Sequence, residues 1–171
     1  MLYLLQLVLP SVSEKVKQKK CADCLEVLLK IPTSSKSKLE PAVLRSLVSC
    51  LSELLLAQKT KSKLWNDGIV KKAFVYLLSM CTYENAKVRK HTQDELTRVM
   101  EHHSKEGFDA TSKHVVAYLD NIVLLFDDKD YKDISFFLAF ISKVILFIAP
   151  SQYDAIMTTL LTVPILPPLD L

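Results

Sequence analysis

The chain has 171 residues, 50% of them hydrophobic, and contains only two glycines. Type I′ and II′ hairpins, phosphate-binding loops and dinucleotide fingerprints all need glycine, so the composition excludes most turn-rich and nucleotide-binding folds. The formal net charge is +3, but residues 1–105 hold 18 Lys+Arg against 10 Asp+Glu (+8), whereas residues 106–171 hold 4 against 9 (−5).

Prolines and apolar spacing predict two helices at the start of the chain. A helix over 2–9 is expected to stop at Pro10, and a second over 13–30 is expected to stop before Pro32, with a polar loop over 33–37. The second helix carries an apolar stripe that is expected to face the core, with lysines on the opposite side. This stripe consists of Val16, Cys24, Val27, Leu28 and Ile31.

The middle of the chain predicts three more helices. The third begins near Pro41, a residue suited to a first helical turn, and presents leucines and valines at spacings of three and four. After a loop over 59–63, the fourth helix runs from about 65 to Cys81. The fifth is capped by Asn85 and runs to about His102, because asparagine at an N-cap accepts hydrogen bonds from the first-turn amides.

Three further helices are predicted after a break at Gly107, over 110–126, 131–149 and 151–161. Alternate helix starts recur every 41 to 46 residues, the period of HEAT and armadillo helix pairs. We therefore predict an all-α solenoid of the armadillo/HEAT type, with seven or eight antiparallel helices in about 3.5 pairs; a compact bundle is the alternative. The repeat segment is assigned to 1–163 of a longer solenoid and an irregular tail to 164–171.

Catalytic and metal-binding motifs are missing from the sequence. Cys21 and Cys24 form a C-x-x-C, but no second ligand pair follows at zinc spacing, and we expect buried thiols. The adjacent His102 and His103 fall at a predicted helix end, where a cationic ring suits the helix dipole. The sequence thus predicts no enzyme, no cofactor, no metal and no small-molecule substrate. The most hydrophobic stretch of the sequence, about 134–149, is too short to cross a membrane.

Basic residues in the first hundred positions are the candidate contact residues. They are Lys59, Lys61, Lys63, Lys71, Lys72, Lys87, Arg89 and Lys90. Alternate lysines in the loop over 59–63 could reach RNA phosphates or could only add solubility. Arg89 could bridge to an acidic or carbonyl partner on the neighbouring repeat, or it could touch phosphate. The four phenylalanines between 136 and 147 are predicted to pack in the core rather than to form an exposed docking stripe.

Several segments in order resemble the N-terminal HEAT region of the ribosomal-RNA-processing protein twelve family. They are the leucine-rich run 2–9 with Lys19–Asp23, the run 43–55 with Gln58 and Trp65 downstream, and above all Ala86–Asp94, with its Val-Arg-Lys and a following glutamine. The likeness covers about residues 2–100. In the HEAT signature an aspartate usually precedes the Val-Arg, and Asn85 near that position puts an ion-pair ladder between repeats in doubt at this step.

This resemblance implies a large, non-catalytic scaffold of the nucleolus and nucleus, with possible shuttling to the cytoplasm. Members associate with precursor ribosomal particles, through rRNA and assembly factors, during small-subunit rRNA processing and nuclear export. The alternative is a protein-only HEAT adaptor of karyopherin type, which binds partner proteins along a groove. A steep loss of RNA affinity with salt would separate the two hypotheses.

Overall fold

The computed structural model describes residues 2–34, 39–58, 62–66, 68–102, 105–125 and 131–162, and these contain nine α-helices and no strand. The helices are α1 (Leu2–Val8), α2 (Glu14–Ser34), α3 (Pro41–Leu56), α4 (Ser62–Asn66), α5 (Gly68–Met80), α6 (Ala86–Glu101), α7 (Lys105–Leu124), α8 (Tyr131–Val144) and α9 (Tyr153–Thr162). Short 3₁₀ turns follow α1 and α8 and precede α9. The predicted all-α class is confirmed.

The helices form two rows. In the first row α1 packs on α3, α3 on α6 and α6 on α8; in the second, α2 packs on α5, α5 on α7 and α7 on α9, with the short α4 between α5 and α7. Helices of the first row begin at Pro41, Ala86 and Tyr131, which are 45 residues apart at each step. When α4 and α5 are counted as one element, each helix contacts the helix two steps along the chain, which is the arrangement of a helical-repeat solenoid.

A large apolar core runs between the two rows, and a small second cluster contains Leu44, Met80 and Val88. The largest fully buried side chains of the large core include Trp65, Phe74, Phe137 and Phe140. The helix α3 lies at the centre and buries ten residues, whereas α9 buries only Ile156. Phe137 and Phe140 confirm the predicted core placement, and Phe147 packs against the same core, whereas Phe136 is half-buried outside it.

The helix α2 departs from the prediction in two ways. It continues through Pro32 to Ser34, where a helix end and a polar loop were expected. Proline has a φ compatible with helix and removes a single backbone hydrogen bond, a small loss so close to the helix end. The buried side is also different: Leu25 and Leu28 point inward with Cys21, whereas Val16 and Val27 are 52% and 64% exposed. The predicted stripe is therefore wrong at these two valines.

Both glycines behave differently from the prediction. The fourth predicted helix is divided, because Gly68 has a φ of +75°, which favours glycine, and separates α4 from α5. The division raises the number of helices in the described part of the chain to nine. Gly107 does not form the predicted break between helices. It lies in the first turn of α7, where its carbonyl accepts a hydrogen bond from Thr111.

Polar contacts join the successive helix pairs. Gln6 of α1 donates to Ser49 Oγ of α3, which lies 2.8 Å from His91 Nε2 of α6. Further along, Gln93 Nε2 of α6 donates to the carbonyls of Cys81 and Phe136. The first set links side chains of three helices, whereas Gln93 satisfies a backbone carbonyl just after α5 and contacts another within α8. Both sets help to fix the register between neighbouring pairs. None of the helices in the described ranges has the length and hydropathy needed to cross a bilayer.

Candidate nucleic-acid interface

Two of the candidate lysines lie on α5. Val70, Phe74 and Leu77 turn one side of this helix into the core, which leaves Lys72 exposed and Lys71 half-buried. With Tyr76 and Ser79, the two lysines line a shallow groove of about 470 Å³. Neither lysine forms an ion pair with a described residue, although the charge of Lys72, after that of Lys30, contributes to lowering the pKa of Glu26 on α2.

Two more lie on the neighbouring helix α6. Asn85 caps this helix as predicted, with its side chain accepting hydrogen bonds from the amides of Lys87 (3.0 Å) and Val88 (3.3 Å). Because Val88 is fully buried, Lys87 and Lys90 point to solvent. Neither of these lysines has an ion-pair partner among the described residues. The helices α5 and α6 contact each other, although they belong to different rows, so the lysines form two pairs on neighbouring helices.

Arg89 is engaged within the protein. One guanidinium nitrogen donates to the carbonyls of Tyr83 (2.9 Å) and Glu84 (3.2 Å), and the guanidinium carbon lies 3.5 Å from the ring centroid of Phe136 on α8. The carbonyls belong to the loop before α6, whereas the ring belongs to the next helix pair. A cation–π contact of this geometry joins consecutive pairs, which agrees with the structural interpretation of Arg89.

The loop lysines are described only in part. Lys59 and Lys61 lie outside the described residues. Lys63 belongs to the short helix α4, so the predicted loop over 59–63 is wrong at positions 62 and 63, the part of it that the structure describes. Ser62 begins that helix, and its fourth residue, Trp65, is fully buried with its indole NH donating to the Gln58 carbonyl. The short helix α4 thus carries a tryptophan that is anchored in the core.

One lysine of the basic N-terminal half is structural. Lys17 is only 8% exposed, and its Nζ lies 3.4 Å from Glu53 Oε2 on α3. Arg98 of α6 reaches the other oxygen of Glu53 at 2.8 Å and also binds Glu95 at 2.7 Å. Burial lowers the pKa of Arg98, but hydrogen bonds to Glu95 and Glu53 outweigh it and raise the pKa overall.

Glu53 thus joins three successive helix pairs by ion pairs. The sequence left an ion-pair ladder between repeats in doubt, because Asn85 stands where the HEAT signature usually has an aspartate. In this chain the ion pairs between repeats are made through Glu53 instead. The sequence contains the necessary signal, since Lys17 precedes the buried Cys21 and Leu25 by four and eight residues and so falls on their side of α2. The signal is easy to miss, because several other lysines surround Lys17 in the sequence and composition alone does not distinguish it from them.

Histidines and cysteines make structural contacts. His114 Nε2 lies 2.7 Å from the Trp65 carbonyl, and His102 Nδ1 lies 2.8 Å from the Arg98 carbonyl at the end of α6. His103 lies outside the described residues.

Burial raises the pKa of the Cys50 thiol to about 11, with Glu53 adding to the effect, which keeps this thiol protonated. Among the described residues, no group of three or more His, Cys, Asp or Glu could hold a metal ion.

Comparison with known proteins identifies the family. A family model described as "RRP12-like, N-terminal HEAT repeats" matches residues 1–154, most of the chain. The chain belongs to this family. An RRP12-like protein from Gallus gallus is 33% identical over 98 residues, which is 57% of this chain but only 7% of that relative. No solved structure matches.

Family membership confirms the resemblance found in the sequence. Membership of the RRP12-like family places the chain among proteins built from HEAT repeats. Within this family member, the described surface offers exposed lysines on α5 and α6 and no metal cluster. The chemistry that these lysines can perform is electrostatic attraction of a polyanion, since an ammonium group donates hydrogen bonds to phosphate without base selectivity.

Proposed function

We propose that this chain is a non-catalytic scaffold segment that binds precursor ribosomal particles in the nucleolus and nucleus, during small-subunit rRNA processing and nuclear export. Its contribution is to hold rRNA phosphates against α5 and α6, while other parts of the surface contact assembly factors. The residues assigned to RNA are Lys71, Lys72, Lys87 and Lys90.

The observation that carries the proposal is the set of four lysines without ion pairs on two adjacent helices. Elsewhere in the described chain, several exposed lysines are neutralised by carboxylates: Lys20 by Asp23, Lys113 by Asp109 and Lys143 by Asp94. Lysines left unpaired beside one another concentrate positive potential, which attracts the RNA backbone. The net charge of +8 over residues 1–105 adds a long-range contribution of the same sign.

Arg89 has a supporting role in this proposal. Its hydrogen bonds to the Tyr83 and Glu84 carbonyls hold the start of α6, which carries Lys87 and Lys90. We therefore assign Arg89 to positioning the two lysines rather than to RNA itself.

The test is a salt series of RNA affinity measured by fluorescence anisotropy with a structured pre-rRNA fragment. Replacing both Lys71 and Lys72 by glutamate is expected to weaken binding by about tenfold or more and to reduce the slope of log K against log salt by about 1.5. A control with the same net charge replaces Lys113 and Lys132, both exposed in the acidic half, by glutamate. It is expected to retain most of the affinity.

The outcome decides between the two hypotheses. Equal losses in the two double variants would show that only net charge matters and would remove α5 from the interface. Wild-type binding that is absent, or independent of salt, would favour the protein-only adaptor. Co-sedimentation of the full-length protein with pre-ribosomal particles in a sucrose gradient then tests whether the same lysines act in the particle.

A further inference from the structure

Arg45 is an exposed cation near the start of α3. It forms no ion pair with a residue of the described ranges. The nearest carboxylates in the sequence are Glu40 and Glu53. Glu40 lies at the N-cap of α3 and does not pair with Arg45, whereas Glu53 is bound to Lys17 and Arg98. Arg45 therefore adds an unpaired positive charge to the first row of helices.

Two contacts between α3 and α6 define how these helices lie against each other. Ser49 Oγ lies 2.8 Å from His91 Nε2. Further along both helices, a guanidinium nitrogen of Arg98 lies 2.8 Å from Glu53 Oε1. Because the residue number increases from the first contact to the second on both helices, α3 and α6 run in the same direction.

This register places Arg45 beside Lys87. Arg45 precedes Ser49 by four residues, and Lys87 precedes His91 by four. Residues four apart lie one turn apart on the same side of a helix. Each cation is therefore one turn before the contact between Ser49 and His91, and both side chains are exposed.

The apolar residues next to the two cations agree with this placement. Leu44 precedes Arg45 and Val88 follows Lys87, and both apolar side chains belong to the small second cluster. Lys90, three residues after Lys87, is exposed on the same helix. The three cations thus form a line that crosses from α3 to α6 within the first row.

We propose that Arg45 is a further RNA-contact residue, which binds backbone phosphate together with Lys87 across the junction of α3 and α6. The inference rests on the proposed function and extends the RNA surface from α6 to α3. Packed helices lie about 8–10 Å apart, a distance over which two long side chains can converge on one phosphate. The guanidinium of Arg45 donates two parallel hydrogen bonds to a phosphate, whereas an ammonium group acts as a point charge.

The distribution of charge along the interface between α3 and α6 supports an external anion. At one end of this interface, Glu53 compensates Arg98. At the other end, Arg45 and Lys87 lie side by side, and no acidic residue occurs in the first turn of either helix. Two unpaired cations held together raise the local positive potential. A nucleic-acid backbone carries a charge at every nucleotide, which suits cations spread over two helices better than isolated carboxylates do.

Neutralising Arg45 tests the inference in the same anisotropy assay. Arg45→Gln is expected to weaken binding of the structured pre-rRNA fragment by about threefold to tenfold and to reduce the slope of log K against log salt by about 0.7–0.9, the loss of one phosphate contact. Arg45→Lys is expected to restore the slope but only part of the affinity, since lysine keeps the charge and lacks the planar fork. The matched control is Lys19→Gln, which removes an exposed charge from α2 in the other row and is expected to bind like the wild type.

A double-mutant cycle tests whether Arg45 and Lys87 share a phosphate. Because neighbouring groups on one ligand are coupled, Arg45→Gln/Lys87→Gln is expected to lose less affinity than the product of the two single losses. Arg45→Gln combined with Lys72→Gln, which lies in the other row, is expected to show the full product. Circular dichroism of these variants is expected to match the wild type, because all three side chains are exposed.

The outcomes separate this inference from the proposed function. If Arg45→Gln binds RNA like Lys19→Gln while Lys71→Glu/Lys72→Glu binds weakly, Arg45 is not a contact residue and the proposed function stands. A wild type without affinity for RNA would overturn both. Polyglutamate that binds the wild type as tightly as the RNA does would indicate an acidic protein partner and would overturn the assignment of Arg45 to RNA.

Discussion

Removing the Glu53 carboxylate is expected to destabilise the fold strongly. In Glu53→Ala, Lys17 would remain almost fully buried without its anion, whereas Arg98 would keep Glu95. Breaking a buried ion pair from one side costs about 3–5 kcal/mol. Because Arg98 is 40% exposed and partly hydrated, we expect a loss of unfolding free energy at the low end of this range, about 3 kcal/mol. For a domain of this size that lowers the Tm by about 6–12 °C.

Urea denaturation followed by circular dichroism measures this loss. The matched control is Glu26→Ala, which makes the same substitution in an exposed pair with Lys30 and is expected to leave the urea midpoint unchanged. A second variant, Lys17→Met/Glu53→Leu, removes both buried charges and is expected to recover most of the stability, since the desolvation penalty disappears with them. Equal midpoints for Glu53→Ala and Glu26→Ala would refute the assignment of Glu53 as a junction of three helix pairs.

Four other predictions concern single side chains. Trp65→Ala is expected to cost about 3–5 kcal/mol in urea, because it empties a buried site beside Phe74. Asn85→Ala removes the cap of α6 and is expected to cost about 1 kcal/mol in the same assay. Arg89→Lys is expected to behave like Arg89→Ala in thermal melts, since lysine cannot reproduce the guanidinium contacts. The raised pKa of Cys50, about 11, predicts slow alkylation of this thiol in the native protein and a stability that falls as the pH rises from about 9 to 11, which labelling rates and melts across that range would check.

Much of the fold is predictable from this sequence because the helix signals are local. Asn85 and the proline at position 41 mark helix starts through backbone chemistry that does not depend on distant residues. The helix boundary at Gly68 is not predictable in the same way. A glycine can also occur inside a helix, and it is the positive φ of Gly68 that separates α4 from α5. Pro32 shows the opposite case, in which a strong local signal is overridden near the end of a helix.

The candidate site was less predictable, because charge availability is a tertiary property. Lys17 and Lys72 look alike in sequence, yet one is buried against Glu53 and the other is exposed without an ion pair. Arg89 likewise required the position of Phe136, 47 residues away in the chain. Periodicity can place a residue on one side of a helix, but it cannot show which carboxylate or ring the neighbouring helix brings to it.

The uneven burial along the rows has a consequence for the order of unfolding. Because each helix contacts only its neighbours in a solenoid, opening can begin at the least protected end and progress inward. The helix α1 buries none of its residues and α9 buries Ile156 alone, whereas α3 buries ten residues. Amide hydrogen exchange should therefore be fast in α1 and α9 and slowest in α3, so that both outer helices fray while the centre that holds α5 and α6 in place stays folded.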